Sequence, residues 1–132
     1  MTISFEDFHL DCTGDVVTGD TILFTEATFG GSFRNPKYLG DRRLIAEVVR
    51  DSYGDAKQQH TFTLFVLASD GVEPVATGTK ITRKGRNVYR NGTRRLRWPD
   101  ESARRHAAEE KHTRGAEARA RRAARREERE YF

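Results

Sequence analysis

The chain has a single cysteine, Cys12, which excludes an intramolecular disulfide framework and a thiolate zinc cluster. That shortage favours a reducing compartment. Long apolar runs are missing too: no stretch approaches the roughly 20 residues needed to cross a bilayer. Met1 to Leu10 carries Glu6 and Asp7 and lacks the basic start and apolar run of a signal peptide. The expected location is therefore the cytoplasm, with no membrane partner. Glycines are present, but Gly14 and Gly30-Gly31 match neither a phosphate-binding P-loop nor a dinucleotide fingerprint, and Thr82-Arg83-Lys84-Gly85-Arg86-Asn87 is the better candidate for an anion cradle. No residue set forms a catalytic signature, and the expectation is a protein that is not an enzyme and takes no cofactor.

Charge is what the sequence does have. The net charge of +4 over 132 residues hides two opposed regions. Residues 1–82 hold 7 Lys/Arg against 12 Asp/Glu, whereas residues 83–132 hold 17 against 8. A basic back half suggests an anionic partner. Arginine outnumbers lysine 19 to 5, as GC-rich coding or selection for bidentate phosphate contacts would produce.

The 36% of hydrophobic residues suffice for one domain. A unit of roughly 100 residues can bury a core without metal or disulfide support. Thr21 to Thr25 reads as a strand, β-branched and aromatic. Gly30 to Gly40 reads as a loop, although Phe29, Phe33 and Tyr38 are too many aromatics for a merely solvated one. In Arg43–Asp51, Leu44, Ala46 and Val48 share one face, and Ile45 and Val49 the other. His60–Ala68 alternates most clearly, with Phe62, Leu64, Val66 and Ala68 at period two. Lys80 to Thr82 opens a further strand. These spacings predict a mainly β fold: a small antiparallel barrel, SH3-like or OB-like, over residues 1–98. Phe5, Phe8 and Leu10 would cover one end of it.

Asn91-Gly92 favours a two-residue type I′ hairpin joining Asn87–Arg90 to Thr93–Trp98. In that register Tyr89, Leu96 and Trp98 share a core-facing side. Lys84, Arg86, Arg90, Arg95 and Arg97 gather on the other, a strip suited to phosphates. The alternatives are neutralisation within the chain and an acidic protein partner.

Residues 99–132 read as a basic, alanine-rich helical tail. Four acid-to-arginine pairs at i, i+4 support it: Asp100–Arg104, Glu101–Arg105, Glu110–Arg114 and Glu117–Arg121. Each contributes about 0.2–0.5 kcal/mol. Gly115 is its weak point, costing about 1 kcal/mol against alanine, and allows two helical pieces. With almost no large apolar residues the helix has no face for a core, so it is expected to project. Arg119, Arg122 and Arg126 would extend the positive track.

Chemistry has few other candidates. His106 and His112 do not share a helix face, which argues against a metal pair, and no metal is expected. His60 with Asp55 or Tyr53 would make an acid–base pair, but a histidine there more often hydrogen-bonds across a turn. Cys12 has no nearby cation to activate it.

Gly19-Asp20-Thr21-Ile22, Asp51-Ser52-Tyr53-Gly54, Gln59 to Leu64, Arg83 to Arg90, and Glu110-Lys111-His112 with Arg114-Gly115 together resemble small uncharacterised proteins of tailed phages infecting high-GC actinobacteria. The resemblance spans residues 19–115 and implies a phage accessory protein in the bacterial cytoplasm. It brings no activity and no functional residues. The expected function is non-enzymatic binding of the DNA or RNA phosphate backbone, with weak sequence specificity. A module that binds a host bacterial protein is the second reading, and an RNA-processing enzyme centred on His60 the third.

Overall fold

The computed structural model describes residues 3–53 and 60–131. Six strands form one sheet in the order β1-β6-β2-β3-β4-β5: β1 Leu10–Asp11, β2 Thr21–Gly31, β3 Pro36–Tyr53, β4 His60–Gly71, β5 Lys80–Lys84 and β6 Thr93–Arg95. Every pairing is antiparallel. A short helix α1, Gly85–Tyr89, connects β5 to β6, and a long helix α2, Glu101–Tyr131, ends the chain. The fold is mainly β with a C-terminal helix, as expected. The sheet stays open, because β5 and β1 are its two edges, so the barrel description fits loosely.

Alternation builds the core. Ile22 and Phe24 of β2, Leu44, Ala46 and Val48 of β3, and Phe62, Leu64 and Val66 of β4 are all buried in one cluster. Ile45 is also fully buried but outside that cluster, on the opposite face of the sheet. On that outer face Arg43 lies 4.3 Å above the Phe5 ring, so the N-terminal segment lies over the face of the sheet.

Bulges set what the simple alternation misses. Val48 pairs with Leu64, but Arg50 pairs with Thr63, so Val49 is an extra residue. The slip turns Asp51, not Arg50, onto the inner face opposite Phe62. A second slip, at Leu67, sets Ala68 opposite Ile45, off the face of Phe62 and Leu64 on which alternation expects it.

Of the segment 30–40 expected as a loop, only residues 32–35 turn the chain. β2 and β3 continue through it to Gly31 and Pro36, with Leu39 as an extra residue between the pairs Thr28–Gly40 and Phe29–Tyr38. This hairpin reaches past the core, leaving Phe29, Phe33, Tyr38 and Leu39 exposed. Asp70 and Gly71 end β4, paired with Arg43 and Arg42, and the chain turns just after them. Gly71 has φ +91°, and a Cβ there would sit 2.5 Å from the Asp41 carbonyl oxygen, so only glycine fits.

Candidate functional site

The basic residues of the back half fall into two classes. The first docks α2. Asp20 is fully buried and accepts from Arg104 Nε at 2.9 Å, Arg104 Nη2 at 2.9 Å and Trp98 Nε1 at 2.7 Å. Arg104 also donates to the Asp15 carbonyl at 2.6 Å, and the carboxylates around it raise its pKa. Arg95 forms a two-pronged pair with Glu101, at 3.0 and 2.8 Å. That pairing and the Trp98 N–H lower the Glu101 pKa to about 2.

Further along, Asp51 accepts from Thr18 Oγ1 and Arg114 Nη2, each at 3.0 Å, with His60 Nε2 at 3.5 Å. Burial alone would push the Asp51 pKa up. The contact with His60 and the hydrogen bonds from Arg114 and Thr18 outweigh it and hold the carboxyl far below its ordinary range. Lys111 is buried and donates to the Val16 carbonyl, with its ammonium 5.5 Å from the centre of the Phe62 ring. Burial lowers its pKa.

The helix therefore does not project through this stretch. Its inward stripe is Arg104, Lys111, Gly115 and Ala118, all buried, and it runs unbroken through Gly115. Three of the four helical pairs expected above give way to other partners. Arg104 takes Asp20, Arg114 takes Asp51, and Glu101 takes Arg95. These partners win because they are buried or held in place by the sheet and the turn before β2, whereas an exposed i, i+4 pair is worth only tenths of a kcal/mol.

The second class surrounds α1. The expected hairpin is not formed: Gly85–Tyr89 is helical, and Thr93–Arg95 pairs with β1 and β2. Gly85 and Val88 are buried and Tyr89 half-buried, a helical spacing. Tyr89 packs edge-on against Phe62 at 6.0 Å, and its hydroxyl accepts from Val16 N at 3.1 Å. Gly92, at φ +84°, donates to the Tyr89 carbonyl at 3.1 Å. Asn91-Gly92 thus closes a helix, a task that needs the same positive φ as a hairpin turn.

Arg86 and Arg90, both exposed, lie one helical turn apart, and so do half-buried Asn87 and exposed Asn91. Beside them Glu26 of β2 faces inward and holds two guanidinium groups. Arg42 Nε is 2.8 Å from it, and Arg83 donates through Nε at 2.8 Å and Nη2 at 3.0 Å. Burial favours the neutral acid, but these bonds keep the Glu26 pKa below its ordinary value. The Arg83 contact ties edge strand β5 to β2 without a backbone ladder.

Two adjoining cavities, of about 250 and 320 Å³, follow this edge. Glu26, Arg42, Phe29, Asn87, Arg90 and Asn91 line the first, and Lys84 and Arg86 the second, with Arg83 and Asn87 shared. Five cations face one carboxylate. Among the described residues, Lys84, Arg86 and Arg90 form no ion pair.

Of the eight expected contact residues, Lys84, Arg86 and Arg90 come together here. Arg95 is consumed by Glu101, Arg97 is exposed on the segment leading to α2, and Arg119, Arg122 and Arg126 lie on the distal part of α2. Arg83 and Asn87 belong to the Thr82–Asn87 stretch that the sequence offered as an anion cradle, whereas Arg42 was missed and Phe29 was expected in a loop. The spacing of Gly85, Val88 and Tyr89 was the one signal for the helix that groups them. His60 meets Asp51, while Asp55 and the Tyr53 side chain lie outside the described residues. Cys12 is buried, with its thiol pushed up to about 12 chiefly by burial.

A family model described as a domain of unknown function, DUF7699, matches residues 12–98. The chain belongs to the DUF7699 family. A rice protein, "Zinc finger CCCH domain-containing protein 62" from Oryza sativa subsp. japonica, is 38% identical over 117 residues. The match covers 85% of this chain but 17% of the rice protein. No solved structure matches the DUF7699 chain. The plant relative overturns the phage resemblance, and the phage role and bacterial host partner lose the support it gave them. With one cysteine, this DUF7699 chain cannot itself form the finger for which the rice protein is named.

Proposed function

We propose that the chain is a non-enzymatic nucleic-acid-binding module that holds the phosphate backbone along the β5–α1 groove. The observation that carries this reading is the unpaired row Lys84, Arg86 and Arg90, next to an Arg42–Glu26–Arg83 cluster that is itself net positive. Other cations of the back half, Arg95, Arg104 and Arg114, have carboxylates of their own. Guanidinium groups left facing water along a groove match phosphate oxygens in charge and in bidentate geometry. Few groups there read base edges, so binding is salt-sensitive and weakly sequence-specific. The distal arginines of α2 add affinity at long range. The buried thiol and lack of disulfides accord with action in the cytoplasm.

The test is fluorescence anisotropy with labelled RNA and DNA across a salt series, comparing Arg86→Ala/Arg90→Ala with Arg119→Ala/Arg122→Ala/Arg126→Ala. The groove pair should remove most binding and reduce the log–log salt slope by about 2. Loss from the helix variant alone would move the site to α2.

The exposed aromatic hairpin supports a second reading, a protein-docking module. Under it both arginine variants keep a protein partner, and changes at Phe33 and Tyr38 lose it.

A further inference from the structure

We infer that the nucleic acid held in this groove is single-stranded, with one unpaired base seated against Phe29 in the cavity between β2 and α1. The inference rests on the phosphate-binding reading above and adds the substrate class.

Phe29 is 59% exposed although it sits within a strand, and it forms a wall of the same cavity that Arg83 and Arg90 line. Tyr38 braces it edge-on from the neighbouring strand, with ring centroids 5.9 Å apart. The Tyr38 hydroxyl is itself fixed on Asp41 at 2.7 Å. The extra residue at Leu39 brings Tyr38, rather than Leu39, opposite Phe29. An aromatic face held in place beside cations is the combination that binds single strands, since any base can stack while the backbone tracks positive charge.

Size points the same way. The cavity of about 250 Å³ falls below the roughly 300–1,000 Å³ of pockets for drug-sized ligands. One ring system enters, and its phosphate stays outside. The cations outside continue past the cavity as Lys84 and Arg86 beside Thr61 and Thr82, a track that suits several linked phosphates. Polar groups for the base edge come from Asn87 and from the Asn91 amide, which is anchored on the Thr25 carbonyl at 3.1 Å. A duplex keeps its bases stacked inside and offers none to Phe29.

The experiment uses the full chain with fluorescein-labelled oligouridine and oligothymidine ten-mers and a blunt duplex, read by anisotropy at fixed salt. Single strands should bind at least about tenfold more tightly than duplex. Phe29→Ala should weaken single-strand binding about tenfold and leave duplex binding unchanged. Phe29→Trp should restore affinity and show quenched tryptophan emission on binding. Thermal melts of both variants should match the parent, because the ring is largely exposed.

If Phe29→Ala leaves single-strand affinity intact while Arg86→Ala/Arg90→Ala abolishes it, the phosphate groove stands and the base site is overturned. Equal or tighter duplex binding overturns it as well. Displacement of the ten-mer by stoichiometric uridine monophosphate would replace the strand with a mononucleotide and overturn the inference. No binding of any oligonucleotide overturns the nucleic-acid reading itself and leaves the aromatic wall to a protein partner.

Discussion

Arg104 and Arg90 carry the same charge in the same basic half of the chain, yet they have opposite circumstances. Arg104 is buried against Asp20 and Asp15 and joins α2 to the sheet. Arg90 stands exposed at the end of α1, over a cavity that already has a positive excess. The contrast runs through the molecule: Arg95, Arg104 and Arg114 answer carboxylates within the chain, while Lys84, Arg86 and Arg90 are left for something else. A charge count therefore overstates the surface open to an anionic partner. Which carboxylate each cation meets decides its role.

The largest effect should come from breaking the docked class. Arg104→Ala leaves Asp20 buried with only Trp98 and backbone N–H partners. Losing one member of a buried pair costs about 3–5 kcal/mol, to be read as a fall in the urea midpoint. Truncation after Trp98 removes Arg104, Lys111 and Arg114 at once, and the truncated chain should unfold or aggregate. An unchanged midpoint in Arg104→Ala would mean that α2 is not held this way.

Acid should act on the same class. Asp51 is held below its ordinary pKa by its contacts with His60, Arg114 and Thr18, and Glu101 is held down to about 2 by Arg95 and the Trp98 N–H. In the unfolded chain they return to roughly 4. As pH falls the unfolded state therefore takes up protons first. Stability should be full above about pH 5 and drain away below about pH 4. Trp98 fluorescence would report the release of α2, and a flat profile down to pH 2 would contradict the assignment.

The unpaired class should behave conversely. Arg86→Ala/Arg90→Ala should change stability by no more than about 0.5 kcal/mol, as exposed substitutions do, while removing most nucleic-acid binding. The smallest effect is expected from Arg119→Ala/Arg122→Ala/Arg126→Ala. It should trim affinity at low salt and change little near 0.15 M, where screening acts within about 8 Å.

The strands were legible because a buried face repeats at period two: Ile22, Phe24, Leu44, Val48, Phe62 and Val66 could be read directly. What escaped depends on one-residue slips and on context. The extra residue at Val49 buries Asp51, and no alternation announces it. Asn91-Gly92 states that the chain needs positive φ but not whether a hairpin or a helix end needs it. The β5–α1 groove was half visible, as a run of cations. Its grouping with Phe29, Arg42 and Glu26 depends on a tertiary closure between β5 and β2 that local pattern does not encode.

The central claim is that the unpaired cations beside α1 meet the nucleic acid, and the most direct test is a backbone amide NMR titration of the full chain with an oligouridine ten-mer. The account predicts the largest shifts at residues 83–91 and around Phe29, with residues 104–114 nearly unmoved. Shifts confined to the distal part of α2, or none at saturating oligonucleotide, would contradict it.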